Sequence, residues 1–231
     1  MRSPSQTFHD SLVARDYKKA MELLHQYDAN TLNAISYTAL HAWRGTEDEN
    51  AILDRVFAAE TTPEIWIDAL LLRMGRPSIT HDPLTPRLLD RCDARLLNQR
   101  HPLHHAAYHG CHYILPALMQ KMENAGVWTG WDNDVRGLGT PLFIALRELN
   151  QETATFFLRQ GCDESKVLQH GTKGADGERS VEQAARIHCN DKEGFDNFIK
   201  TAKNKVKLEK IAESAARLLE KGEALIKKIK L

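Results

Sequence analysis

The middle of the chain holds six histidine and cysteine side chains between positions 101 and 112. His105 and His109 are four residues apart, so a helix would place them one turn apart on the same side. Such a pair can bind zinc when a cysteine or another histidine completes a tetrahedron, but structural zinc sites normally have tighter paired spacing. We therefore predict no metal site here. The other members of the group are His101, His104, Cys111 and His112.

The remaining candidates for catalysis are the cysteines, which stand at positions 92, 111, 162 and 189 without a CxxC pair. A buried thiol with no electropositive neighbour is inert, and none of the four has the local signature of a catalytic cysteine. The chain has no Gly-x-Ser-x-Gly motif, phosphate-binding loop or dinucleotide-binding motif. These patterns predict no catalytic residue and no cofactor, with reduced thiols in an intracellular compartment.

Helix start and stop signals surround the histidine group. Pro102 can occupy the first turn of a helix, where its missing N–H is not needed, and Gly110 can end that helix in a left-handed conformation. Residues 101–110 read His-Pro-Leu-His-His-Ala-Ala-Tyr-His-Gly. They resemble the Thr-Pro-Leu-His-x-Ala-Ala-x-x-Gly signature that opens an ankyrin repeat, with His101 in the Thr position. The apolar face of this helix would consist of Leu103, Ala106 and Ala107.

The same signature recurs along the chain. Residues 140–163 resemble a whole ankyrin repeat that begins Thr-Pro-Leu, with Phe143 in place of the histidine and Leu149 in place of the helix-ending glycine. Weaker copies begin at Thr38 and Ser180. The intervals between the four starts are 63, 39 and 40 residues, against an ankyrin period of about 33. The longest interval is close to two periods, so one divergent repeat is expected within it.

The resemblance implies an all-α ankyrin-repeat solenoid of about six helix-turn-helix repeats, followed by a C-terminal amphipathic helix. Similarity to the family covers 5–202, and the C-terminal helix is expected at 203–231. The expected repeats are a degenerate cap at 5–33, then 34–62, a divergent unit at 63–95, and 98–126, 137–163 and 178–202.

The C-terminal segment differs from the rest of the chain in its charge. Residues 200–231 contain nine Lys and one Arg against four Glu, a net charge of +6, while the whole chain has a net charge of zero. An uncharged total gives no general attraction to nucleic acid, and we predict no nucleic-acid partner. The simplest role of the segment is a basic helix whose apolar stripe covers the last repeat. A coiled coil or a contact with an anionic membrane through 203–231 is the alternative, although the flanks lack the bulky aromatic residues of interfacial helices.

Targeting and membrane signals are weak. The start Met1-Arg2-Ser3-Pro4 is followed by no apolar run, which argues against a secretory signal peptide. The most apolar window, 65–72, is far too short to span a bilayer. We therefore expect a cytoplasmic protein, or one in the host cytoplasm if it is a secreted bacterial effector.

The resemblance also implies where a partner would bind. Ankyrin repeats contact partners mainly through the tips of their connecting fingers and the residues just after the Ala-Ala pair, while the signature histidine, here His104, braces the backbone. Two tryptophans stand in a lengthened finger at 124–134, where they could bind a partner or pack inward. Arg, Tyr and Trp dominate binding energy when they are buried at an interface. The expected contact residues are Arg100, Tyr108, His109, Trp128, Trp131, Arg136, Arg147 and Glu148.

These expectations favour a non-catalytic scaffold or adaptor that binds another protein through its concave face. The irregular repeats and basic helix also resemble ankyrin-repeat proteins that intracellular bacteria deliver into host cells. Two alternatives stay open. One is an enzyme or toxin-like effector with its site in 63–95 or 101–112, and the other is an oligomeric or membrane-associated scaffold that uses 203–231.

Overall fold

The computed structural model describes residues 3–28, 30–32, 35–36, 39, 43, 45–58, 62–75, 83–168 and 179–229, with side chains up to position 221 in the last range. The protein is all-α, and the described ranges contain no β-strand, only two isolated β-bridges. None of the helices in these ranges combines the length and hydrophobicity that crossing a bilayer requires. The predicted fold class is confirmed at the level of an all-α protein.

The helices are short until the last one. In chain order they are α1 (Pro4–Val13), α2 (Tyr17–Gln26), α3 (Glu47–Ala58), α4 (Pro63–Met74), α5 (Leu84–Arg91), α6 (Ala94–Gln99), α7 (Pro102–His109), α8 (Leu115–Asn124, after a 3₁₀ turn at His112–Ile114), α9 (Pro141–Arg147), α10 (Gln151–Arg159), α11 (Val181–His188) and α12 (Lys192–Ile229).

The chain forms two compact units. The first consists of Met1–His105 and Tyr113–Trp128, and the second of Ala106–His112 and Thr129–Leu231. The expected repeat at 98–126 therefore contributes residues to both units.

In the first unit, α1 and α2 form a helical hairpin at the position of the expected cap, 5–33. Ser3 and Asp16 cap α1 and α2 by accepting hydrogen bonds from backbone N–H groups in the first turn. Between the two helices, Arg15 has a left-handed backbone with a φ of 58°. α1 packs on α2, and α2 packs on α3, where Ile52 and Val56 are buried. The third copy of the signature, at 38–43, lies mostly outside the described residues.

The divergent unit at 63–95 forms helices where they were expected, with two differences. α4 begins at Pro63 and is capped at its end by Gly75, and α5 begins at Leu84, two residues before Pro86. Proline is tolerated within the first turn, so it did not mark the first residue. A further helix, α6, was not predicted. It is started by Asp93, whose carboxylate accepts hydrogen bonds from two backbone N–H groups. The expected loop at 78–82 lies outside the described residues.

In the second unit, two helix pairs stack on each other. α9 packs on α10 and α11 packs on α12 within the pairs, while α9 packs on α11 and α10 packs on α12 between them. Thr140 and Ser180 precede α9 and α11 with extended backbones, and each side chain accepts a hydrogen bond from the N–H group three residues later. The same local signal therefore starts the first helix of each pair.

Burial repeats with a regular period across α7, α9 and α11, which we term the first helices. Leu103, Leu142 and Val181 are all nearly or fully buried and follow one another at intervals of 39 residues. The same interval separates Ala106, Ala145 and Ala184, which have no exposed surface. Our alignment of Ser180 with Thr140 was therefore wrong by one residue. Ser180 caps its helix one position later in the repeat than Thr140 does, so the buried residues keep their spacing while the cap shifts.

The C-terminal segment is continuous with the last helix pair. A single helix of 38 residues, α12, covers both the expected second helix of the sixth repeat and the described part of the expected C-terminal helix. The predicted boundary between residues 202 and 203 is absent, because strong helix formers continue without Pro or Gly from position 195 to 221. Ala202 and Val206 are buried, so the second unit covers this helix past the predicted boundary.

Candidate partner-binding surface

The first helices α7 and α9 end in the same way. Gly110 follows α7 with a φ of 73°, and the N–H of Cys111 donates to the carbonyl of Ala106 at 2.9 Å. Leu149 follows α9 with a φ of 56°, and the N–H of Asn150 donates to the carbonyl of Ala145 at 2.9 Å. This left-handed cap was predicted for Gly110. Leu149 adopts it as well, although a side chain there carries a steric cost.

Asn150 joins these two helix ends within the second unit. Its Nδ2 donates to the carbonyl of Ala107 at 2.7 Å and to the carbonyl of Tyr108 at 2.9 Å, so it satisfies two carbonyl groups that α7 leaves without helical partners. A Cβ atom at Gly110 would lie 3.1 Å from the Asn150 Oδ1. Gly110 therefore permits both the left-handed turn and the close approach of Asn150. We did not predict this role from the sequence. The signal for it was that Asn150 directly follows Leu149, the residue in the position of the helix-ending glycine.

Tyr108 lies on the surface as predicted. Its side chain is 50% exposed, whereas Leu103 on the same helix is 4% exposed. Its ring meets the ring of His109 edge-on, with 4.8 Å between the centroids. The predictions that Leu103 lies inside and Tyr108 lies at the surface are confirmed.

The equivalent residues on α9 are partly engaged with each other. The Arg147 Nε donates to the Glu148 Oε1 at 2.7 Å, and the Arg147 guanidinium lies 5.7 Å from the centroid of the Phe143 ring. Both side chains are half-buried. They lie at the surface, but a partner would have to compete with contacts that they already make.

Two further residues occupy this position on α11, and sequence reasoning missed both. Arg186 and Ile187 follow the buried Ala184 and Ala185. Ile187 is 45% exposed, and Arg186 makes a two-point ion pair with Asp196 at 3.0 Å for each contact. The one-residue shift of Ser180 concealed them, since the alignment had assigned Arg186 to the buried face.

The finger that precedes α9 is a tight turn closed by two backbone hydrogen bonds. Val135 and Gly139 exchange N–H···O bonds of 3.0 and 2.8 Å, which places Arg136, Gly137 and Leu138 at the tip. Arg136 is exposed, and Leu138 is also partly open to water. The next finger begins with a bridge between Val167 and Ser180, and residues 169–178 of this finger lie outside the described residues.

Trp131 does not stand free as a contact residue. Its ring packs edge-on against Phe156 of α10, with 5.1 Å between centroids, and lies 6.0 Å from Phe157. The Trp131 side chain is half-buried, so the interpretation that the tryptophan packs inward applies to it. The indole ring is therefore partly covered by the phenylalanine rings of α10, in the edge-on arrangement that aromatic pairs prefer.

The remaining predicted contact residues belong to the first unit. Trp128 is half-buried at its C-terminal boundary. Arg100 is exposed and forms an ion pair with Asp68 on α4. Of the eight predicted residues, the second unit therefore contains six: Tyr108, His109, Trp131, Arg136, Arg147 and Glu148.

The histidine group has separate environments rather than a common centre. His104 is buried, and its ring centroid lies 5.7 Å from that of the His101 ring, which it meets edge-on. We expected His105 at the surface, but its Nε2 is hydrogen-bonded to the carbonyl of Leu71 at 2.7 Å. Burial lowers the pKa of His105, and the bond to Leu71 opposes that effect. Within the ranges that the structure describes, no three His, Cys, Asp or Glu side chains lie close enough to hold a metal ion.

The four cysteines are buried, and none forms a disulfide bond. Burial raises the pKa of Cys92 to about 12. The pKa of Cys162 is also raised, first by burial and then by the nearby carboxylate of Asp132. A thiol with a raised pKa stays protonated at neutral pH and is a poor nucleophile.

Comparisons of the chain with protein-family models, with curated proteins and with solved structures found no match in any of the three.

Proposed function

We propose that the protein is a non-catalytic scaffold that resembles ankyrin-repeat proteins and binds another protein through the second unit. The binding surface would comprise the surface residues that follow the buried pair on α7, α9 and α11, together with the tip of the finger at 136–138. The proposed place of action is the cytoplasm, or the host cytoplasm if the chain is a secreted bacterial effector.

One observation carries this proposal, namely a row of surface residues with the period of the core. Tyr108, Arg147 and Arg186 follow one another at intervals of 39 residues, and each comes directly after a buried pair on α7, α9 or α11. The next residues, His109, Glu148 and Ile187, repeat the interval. Because α9 and α11 pack side by side, equal positions on them lie in one row on the surface.

The architecture of the second unit supports the resemblance to ankyrin repeats. Paired helices stack first on first and second on second, and a bridged finger precedes each pair. In repeat proteins this arrangement buries one continuous core and leaves one edge of every repeat at the surface. A surface built on such a rigid scaffold can bind without ordering much of its own backbone, which lowers the entropic cost of association.

The chemistry of the row favours a protein partner of mixed character. Tyr108 and Ile187 offer apolar area, while Arg136 offers an exposed guanidinium at the finger tip. Tyrosine and arginine are enriched among the residues that dominate binding energy at interfaces. The row contains both charge signs, at Arg147 and Glu148, so it does not favour a uniformly charged polymer such as nucleic acid.

The test removes apolar area from the row without disturbing the core. Tyr108→Ala combined with Ile187→Ala changes two exposed side chains, so the melting temperature should stay close to that of the wild type. Affinity purification from cells with quantitative mass spectrometry should then show loss of the main partner captured by the wild type. Val13→Ala, which changes an exposed residue on α1, is the control and should leave capture unchanged. Full capture by the double variant, at an unchanged melting temperature, would place the binding surface elsewhere.

A further inference from the structure

The distal half of α12 exposes a stripe of apolar side chains. Leu208, Ile211 and Leu218 are 66%, 55% and 69% exposed, whereas Val206 is 7% exposed. With Ala215, which is also exposed, they form what we term the apolar seam. Monomeric proteins rarely leave such a row of large apolar residues in water unless it has a partner.

The apolar seam lies on the side of α12 that is turned away from the rest of the second unit. Each helical residue turns by about 100°, so the seam is roughly opposite the buried residues Ala202 and Val206. Glu209 and Glu213 lie on the buried side, where both face the guanidinium of Arg159 on α10. A partner could therefore lie along the seam without displacing any contact that holds α12 in place.

The spacing of the apolar seam favours another helix as the occupant. Positions 208, 211, 215 and 218 alternate steps of three and four residues, the spacing by which two helices interlock side chains. No aromatic residue follows Phe198, whereas helices that lie in a lipid interface usually have Trp or Phe on their apolar side. The observations thus favour a protein helix over a membrane surface.

Charge identifies the kind of helix. Lys207 and Lys221 lie along one flank of the apolar seam, and within the described part of the chain neither makes an ion pair. Lys203, one turn earlier, is already neutralised by Glu164 and Glu182, at 2.9 and 2.8 Å. The lysines without a carboxylate partner therefore start at Lys207, next to the first seam residue. They would attract carboxylates on a helix that binds the seam.

A second copy of the chain does not supply those carboxylates. Two α12 helices in antiparallel order would place the lysine flank of one beside the lysine flank of the other. In parallel order Lys207 would lie beside Ala212 of the other copy. Glu209 and Glu213 alternate with the seam residues in sequence, but they lie on the opposite side of the helix and face Arg159. Like charges in contact disfavour the antiparallel pair, and the parallel pair provides no carboxylate for Lys207, so neither arrangement of two copies satisfies the lysine flank.

We propose that the apolar seam of α12 binds an acidic amphipathic helix of another protein. The apolar residues of that helix would pack against Ile211 and Leu218, and its carboxylates would pair with Lys207 and Lys221. This surface is independent of the row at Tyr108, so either site can fail without the other.

The test uses the full-length protein and a synthetic peptide of about three heptads, with Leu at the a and d positions and Glu at e and g. Isothermal titration should show binding that weakens as salt is added, because salt screens exposed charges. Ile211→Ser with Leu218→Ser should weaken binding about tenfold or more, as truncation at the centre of an interface does. All substituted residues are exposed, and circular dichroism would verify that the variants keep their helical content.

A charge exchange sharpens the test. Lys207→Glu with Lys221→Glu should weaken binding of the Glu peptide and strengthen binding of a peptide with Lys at e and g. The matched control is Lys18→Glu with Lys19→Glu, which reverses two exposed charges on α2 and should change neither affinity.

Four outcomes would overturn the proposal: no binding of the Glu peptide, equal binding of the Glu and Lys peptides, seam-dependent binding to phosphatidylserine vesicles, or a dimer in sedimentation analysis that Ile211→Ser with Leu218→Ser abolishes.

Discussion

α9 and the distal half of α12 are both helical, but for different reasons. Every residue from Pro141 to Leu146 in α9 is buried, and a helix of this length is not stable alone in water. Residues 207–221 of α12 are almost all exposed, and they consist mainly of Lys, Glu, Ala, Leu and Arg, the strongest helix formers. Tertiary packing stabilises α9, whereas the distal half of α12 is stabilised by the intrinsic helix propensity of its residues. Only the second keeps its apolar side chains free for a partner.

The largest expected effect lies in α9. Phe143 is fully buried and lies against Gly139, with His188 of α11 meeting the ring edge-on. Phe143→Ala should lower the free energy of unfolding by about 3–5 kcal/mol, because the cavity cannot be filled by neighbouring groups. Chemical denaturation followed by circular dichroism would measure it. A loss below about 1 kcal/mol would mean that α9 does not depend on packing in this way.

Truncation separates the two halves of α12. Ending the chain after Lys200 removes the buried Ala202 and Val206 and the ion pair of Lys205 with Glu152, and it should cost about 2 kcal/mol or more. It also uncovers part of the buried side next to Phe195, so solubility should fall. Ending the chain after Ser214 removes residues that are exposed at every position where the structure describes their side chains, 215–221, and should leave the melting temperature nearly unchanged. Equal stability of both truncated forms would show that α12 is not held by the second unit.

A medium effect is expected where Asn150 joins α7 to α9. Asn150→Ala leaves the carbonyls of Ala107 and Tyr108 without this donor and should cost about 1–2 kcal/mol, measured by denaturant unfolding. Gln151→Ala, at the neighbouring half-buried position, serves as the control and should cost less. If both variants lose the same stability, the two hydrogen bonds contribute nothing specific.

The smallest effect is expected in the apolar seam. Leu218→Ala should change the free energy of unfolding by less than about 0.5 kcal/mol, because the side chain is exposed and alanine favours the helix. The same denaturation experiment compares it directly with Phe143→Ala. A loss of about 2 kcal/mol would show that the seam is already buried, for instance in an oligomer, and would remove the contrast between the two helices.

Local patterns predicted most helices of the second unit. Thr-Pro at 140 and glycine at 110 have a direct mechanical effect on the backbone, so a helix start and a helix end could be placed from them. The same reasoning located Tyr108 outside and Leu103 inside. The family resemblance of the whole chain stays a prediction.

The errors have identifiable physical causes. Ser180 caps α11 one position later in the repeat than Thr140 caps α9, and only the burial of Val181 and Ala184 reveals the shift. The partner of Trp131 is Phe156, 25 residues away, and nothing near the tryptophan indicates that contact. α6 depends on Asp93, a capping signal that was present but overlooked.

The amino-acid sequence by itself determined where helices start and stop, which of their faces are apolar, and that the C-terminal segment is basic. These properties depend on interactions between residues a few positions apart, so they can be read from spacing. The tertiary structure alone decided that Trp131 packs on α10, that Asn150 binds the end of α7, and that α12 turns its apolar seam away from the second unit. Each of these depends on which distant groups meet, and many arrangements of the same helices satisfy the local preferences equally well.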